Sequence, residues 1–211
     1  MTPNAPRYLK ETPSQTAGPY VHIGLAPEAA GLRAVGRPLA GDPAAPGCPG
    51  RRIAVEGVVL DGTGTPLRDA LIEVWQADHM GRHRHPEDPR ANEVDPRFRG
   101  FGRVCAGFED GLWRFETVKP GPVPWPGGGL QAPHITFWIV ARGINMGLHT
   151  RMYFGDEPEA NAADPLLAMI EQPSRRETLI SRPEPDPGGG PTVHRFEIRL
   201  QGPLETVFLD V

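Results

Sequence analysis

From residue 51 onward the chain repeats one pattern, a short run rich in Val, Ile, Phe and Trp followed by a cluster of Gly, Pro and Asp. The runs are RIAVEGVVLDG, ALIEVWQAD, LWRFETV, HITFWIVAR, TRMYF, VHRFEIRL and TVFLDV. Where apolar and polar residues alternate, the period of two marks a half-buried strand, and the more continuous runs mark strands buried on both faces. DGTGTPL and EDG supply the turn chemistry between them. Many short strands with little helix predict an all-β fold, a β-sandwich of mainly antiparallel strands with one or two short helices. The helix signal is ADPLLAMIEQP, with Asp164 as N-cap, Pro165 at the first helical position and a stop before Pro173. Residues 181–191, SRPEPDPGGGP, read as a breaker-rich connection before the last two strands. Residues 1–50 carry few strand signals and read as an extended arm that meets a partner, leaving residues 51–211 as the sandwich domain.

Composition narrows the class. A chain of 211 residues suits one domain with one core. With 26 Gly and 26 Pro it approaches low-complexity territory, but the strand runs between them argue for a packed fold. A net charge of −4 with no uncompensated basic block argues against nucleic acid or an anionic membrane as partner. Cys48 and Cys105 are the only cysteines and form no metal-type spacing, so a reducing cytoplasm is expected. No apolar leader and no stretch of about 18 apolar residues interrupts that reading.

The candidate chemistry lies in two places. The loop DHMGRHRHPEDP holds His79, His83 and His85, and APHITF holds His134. Along a strand His134 and Thr136 face one side and Ile135 the other. Two of the loop histidines with His134 could hold a metal, although a threonine hydroxyl is a poor ligand for the metals that imidazole suits. The plainer reading is a solvated loop and a buried His134 whose nitrogens are satisfied by backbone. Arg142, in VARGIN, reads by itself as a strand-end charge, and Gly18–Pro19 as a turn.

Taken together and in collinear order, ETPSQTAGPY, LIEVWQAD, RGFGRV, FETVKPGPVPW, APHITFWIVARGIN, LHTRMYF and EQPSRRETLI resemble the intradiol ring-cleavage dioxygenases. The narrower likeness is to the α chain of a two-chain member acting on a carboxylated catechol. Catalytic chains of that family hold Fe(III) with two tyrosinates and two histidines. Here His83 stands at the first tyrosine position, Val123 at the second, and Thr136 at the second histidine, so only His134 is kept. The resemblance therefore implies a vestigial metal site at His83, Val123, His134 and Thr136, no metal and no catalytic residue on this chain, and Fe(III) on a related β chain in a hetero-oligomer. It also implies that Thr16, Gly18, Pro19, Tyr20 and Arg142 border the substrate, with Arg142 meeting its carboxylate, and that the chain alone is inactive. The alternatives are a stand-alone β-sandwich binding module and a self-sufficient metal enzyme using His79, His83, His85 and His134.

Overall fold

The computed structural model describes residues 15–33, 41–145 and 147–210; the arm expected over residues 1–14 and 34–40 lies outside the described residues. Twelve strands are described: β1 (Arg52–Gly57), β2 (Val59–Leu60), β3 (Leu71–Gln76), β4 (Phe101–Cys105), β5 (Trp113–Val118), β6 (Val123–Pro124), β7 (Leu130–Gln131), β8 (His134–Val140), β9 (Leu148–Phe154), β10 (Ile180–Glu184), β11 (Val193–Arg195) and β12 (Ile198–Arg199). Eight form one sheet in the order β4-β3-β8-β9-β10-β11-β1-β5. Its two outermost strands, β4 and β5, lie in contact, so the sheet nearly closes on itself. Strand dominance is as expected. The anticipated sandwich of mainly antiparallel strands takes the form of one continuous ribbon, in which β9–β10 and β11–β1 pair in parallel and the other neighbours antiparallel.

Alternation explains the core. Ile72 and Val74 of β3, Ile135, Phe137 and Ile139 of β8, and Met152 and Phe154 of β9 point inward and meet Ile53, Val55, Trp113 and Phe115 of β1 and β5. Phe137 is the hub, with ring centroids 5.6 Å from Trp113, 6.3 Å from Phe115 and 5.3 Å from Phe196. Burying each such side chain contributes about 1.5–3 kcal/mol. The residues between them, Glu73, Trp75, His134, Thr136, Trp138, Arg151 and Tyr153, point to the opposite face, where the candidate chemistry lies.

Three local expectations need correction. Ile180–Glu184 is strand β10, although it begins the breaker-rich segment. Its pairing with β9 stops at Ser181, so Pro183 falls where the strand is bonded on one side only, as a residue without N–H requires. TVFLDV forms no strand over its described residues. It runs beside β9 through the Leu209 N–H to His149 O and the Thr150 hydroxyl to Val207 O. Among the described residues helix is divided among four pieces rather than one or two: α1 (Val21–Leu25), α2 (Pro158–Ala162), α3 (Pro165–Met169) and α4 (Pro173–Arg176). At four or five residues each, they are too short to show a 3.6-residue period. The Asp164 cap is as read, its side chain accepting from Leu166 and Leu167 N–H.

Candidate functional site

Strand β8 carries a different set of candidate residues at each end. At its start, register places Trp75, Thr136 and Arg151 side by side across β3, β8 and β9, with His134 opposite Tyr153. The histidine loop folds over this row because two aspartates organise it. Asp78 accepts the N–H of Met80 and Arg82, each at 2.9 Å. Asp88 accepts the N–H of His83 and Arg90, each at 2.8 Å. Burial would raise the Asp88 carboxyl, but these N–H groups and the Arg90 guanidinium hold it down at about 2. A backbone-to-backbone approach brings the loop beside Val123: a Cβ on Gly81, at φ 72°, would sit 1.9 Å from Pro122 O.

The result is a cavity of about 630 Å³ lined by Trp75, His83, His85, Val123 and Pro124 together with the charged side chains of Glu87, Asp88 and Arg90. His83 stacks on Trp75 at 4° between planes and 5.9 Å between centroids, and His85 stands edge-on at 6.3 Å. His83 is thus half-buried, while residues 84–87 of the loop are exposed as a solvated loop would be. Burial pushes His83 below its ordinary value. His79 lies in the same loop, half-buried, outside the cavity lining.

His134 is 7% exposed and its Nδ1 lies 2.8 Å from Ala132 O. A carbonyl only accepts, so Nδ1 carries the proton in this neutral ring. Burial first, and then the Arg151 guanidinium, push His134 down to about 3. Arg151 donates from Nη1 to Gln131 Oε1 at 2.6 Å, and among the described residues no carboxylate pairs with it. Burial, then the Asp164 carboxylate, raises the Tyr153 hydroxyl. Ferric iron needs anionic oxygen donors. These positions offer two neutral imidazoles, a valine and a threonine beside an unneutralised cation, so they do not fit it. Among the described residues no three His, Cys, Asp or Glu side chains gather as a cage for any metal. Arg151 was missed in the sequence because only the β8–β9 register shows that it faces His134 and Thr136.

Six residues separate His134 from Val140, about 20 Å at roughly 3.3 Å per residue. At that far end the turn 141–145 carries Arg142, and the arm reaches it. Thr16 bridges Asn145, and its hydroxyl accepts the Gly143 N–H at 2.9 Å. Gly18, Pro19 and Tyr20 follow and are exposed, Tyr20 at 72%. Beyond them Arg103 Nη1 donates to Leu25 O at 2.8 Å, fastening α1 to β4. Arg142 is exposed and forms an ion pair with Asp69 at 2.6 Å. The structure therefore groups Thr16 with the Arg142 turn and separates both from His83, Val123, His134 and Thr136.

Comparison with known proteins follows the same lines. Residues 42–202 match the family model described as Dioxygenase. The protocatechuate 3,4-dioxygenase alpha chain of Pseudomonas putida is 51% identical over 96% of this chain and 97% of its own length. The beta chain of the Burkholderia cepacia enzyme is 38% identical over 72% of this chain and 66% of its own. Catechol 1,2-dioxygenase from Acinetobacter sp. ADP1 superposes with a TM-score of 0.58 at 22% identity, over 85% of this chain and 68% of that one, a likeness of fold. These similarities establish that the chain belongs to the intradiol ring-cleavage dioxygenase family.

Proposed function

We propose that this chain is the α subunit of a protocatechuate 3,4-dioxygenase, paired with a related β chain that holds the ferric ion. The enzyme opens the protocatechuate ring with O2 between the hydroxyl-bearing carbons, giving 3-carboxy-cis,cis-muconate in aromatic catabolism. The partner's iron supplies activation of the catechol. This chain supplies one wall of the pocket. The observation that carries the reading is the contrast between the ends of β8: at the start the four positions His83, Val123, His134 and Thr136 carry no anionic side chain and Arg151 lies beside them, whereas the far end presents Thr16, Tyr20 and Arg142 to the outside. Exposed Tyr20, Ile23, Leu25 and Leu32 on the arm are apolar surface suited to cover by a second chain. The arm of residues 1–50 is the partner-contact region and residues 51–211 the sandwich domain.

Within the pocket, Arg142 meets the carboxylate of the substrate, for which a planar guanidinium fork is suited. Gly18, Pro19 and Tyr20 border the ring and exclude water, while Thr16 holds the turn. The test is co-expression with a β-chain homologue and separate expression of this chain. Oxygen uptake with protocatechuate and one ferric ion per pair are expected only from the co-expressed protein. Turnover by the chain alone, or a stoichiometric ferric site in it, would overturn the proposal.

A further inference from the structure

Continuing the antiparallel register of β3 and β8, which pairs Leu71 with Val140, two residues further sets Asp69 opposite Arg142. The side chains meet there, Arg142 Nε lying 2.6 Å from Asp69 Oδ2, with the acid at 13% exposure and the arginine at 63%. We infer that Asp69 is the positioning residue for Arg142: its carboxylate, whose Oδ2 takes no hydrogen bond from the described residues, holds the guanidinium by charge on its Nε side and leaves the two terminal nitrogens to receive a substrate carboxylate. This rests on the reading of Arg142 given above.

Three features support it. The Asp69 carboxylate lies against the Nε side of the guanidinium, so the Nη1–Nη2 edge of the fork stays free for two parallel hydrogen bonds. Neither terminal nitrogen of Arg142 donates a hydrogen bond among the described residues, whereas Arg103, Arg52 and Arg84 spend theirs on carboxylates or carbonyls of the fold. The backbone beneath is also fixed: the Thr16 hydroxyl takes the Gly143 N–H at 2.9 Å and reaches Ala141 O at 3.4 Å, and Gly143 sits at φ 82°. A long side chain on a fixed turn still has rotamer freedom, and the neighbouring carboxylate removes it before substrate arrives.

The test uses the assembled two-chain enzyme with Asp69→Asn, Asp69→Glu, Arg142→Gln and the Asp69→Asn/Arg142→Gln double variant, on protocatechuate and on catechol. Asp69→Asn should raise KM for protocatechuate about three- to tenfold with kcat within about twofold, leave catechol unchanged, and add nothing in the Arg142→Gln background. Asp69→Glu, which keeps the charge, should recover most of the loss. Equal loss on both substrates, additive effects in the double variant, or Asp69→Glu as damaging as Asp69→Asn would overturn the role of Asp69. If Arg142→Gln itself fails to separate the two substrates, the reading of Arg142 falls instead, so the two failures are distinguishable.

Discussion

Asp164 joins the short helix α3 to the strand that presents His134, and removing its carboxylate should loosen both. It is fully buried, and its Oδ1 accepts from Leu166 N at 2.9 Å, Leu167 N at 2.8 Å and the Tyr153 hydroxyl at 3.2 Å, while Oδ2 accepts from Ala132 N at 2.8 Å. In Asp164→Ala the lost N-cap costs about 1 kcal/mol. Orphaning the buried Ala132 N–H and Tyr153 hydroxyl costs about 1–3 kcal/mol each. The sum, roughly 3–7 kcal/mol, is a large share of the ~5–15 kcal/mol that stabilises a typical domain. Asp164→Asn keeps one acceptor but turns an amide N–H toward Ala132 N–H or Leu167 N–H, so it should recover less than half of the loss. Urea unfolding gives the global value, and hydrogen exchange at the Ala132 amide gives the local one. Because Ala132 O holds His134 Nδ1, the imidazole should also titrate closer to its ordinary value in Asp164→Ala, which NMR can follow. A cost below about 1 kcal/mol with unchanged protection at Ala132 would refute the reasoning.

In the assembled enzyme, Arg142→Gln should lower kcat/KM for protocatechuate by the equivalent of about 2–5 kcal/mol, toward the low end if water reaches the pair, with iron content unchanged by metal analysis. Thr16→Val, which removes the acceptor for Gly143 N–H, should raise KM for protocatechuate severalfold and increase amide exchange at Gly143. His134 at about 3 and His194 at about 4, both depressed chiefly by burial, are neutral in the fold while the unfolded chain takes up protons below about pH 6.5. Stability measured by urea titration should therefore fall between about pH 6.5 and 4 with a slope approaching 1.4 kcal/mol per unit for each histidine, and Asp88 adds its own loss only below about pH 4. His83→Tyr, Val123→Tyr and Thr136→His together should bind little ferric iron while Arg151 remains, and adding Arg151→Gln should raise iron content and bring up tyrosinate-to-iron absorption; equal uptake with and without Arg151 would remove its charge from the account.

What was legible in the sequence depended on distance along the chain. Period-two alternation located β1, β3, β5, β8 and β9, and Asp164–Pro165 marked the start of α3, because those signals are local. The family resemblance singled out His83, Val123 and Thr136, and the cavity brings His83 and Val123 together. Strand β10 was hidden because Pro183 argues against a strand unless its one-sided pairing is known. Arg151 and Asp69 were hidden for a related reason. Each matters through a cross-strand neighbour, Thr136 for one and Arg142 for the other, and register is a property of two segments rather than of either.

The placement of β11 bears on how the chain is made. β11 lies between β10 and β1, and it joins the group β4-β3-β8-β9-β10 to the pair β1-β5 through hydrogen bonds such as Ala54 N to Thr192 O and Phe196 N to Glu56 O. Ala54 waits for Val193, so β1 is synthesised long before its parallel neighbour leaves the ribosome. Until then the nascent chain has two unbonded sheet edges, one on β1 and one on β10, which are templates for pairing with other chains. Closure is thus a long-range event, slow by the topology of its contacts and dependent on a segment translated after the other strands of the sheet. A ribosome that stalls near residue 190 would release a polypeptide carrying nearly all of its core residues but without the strand that hydrogen-bonds the two halves of its sheet together.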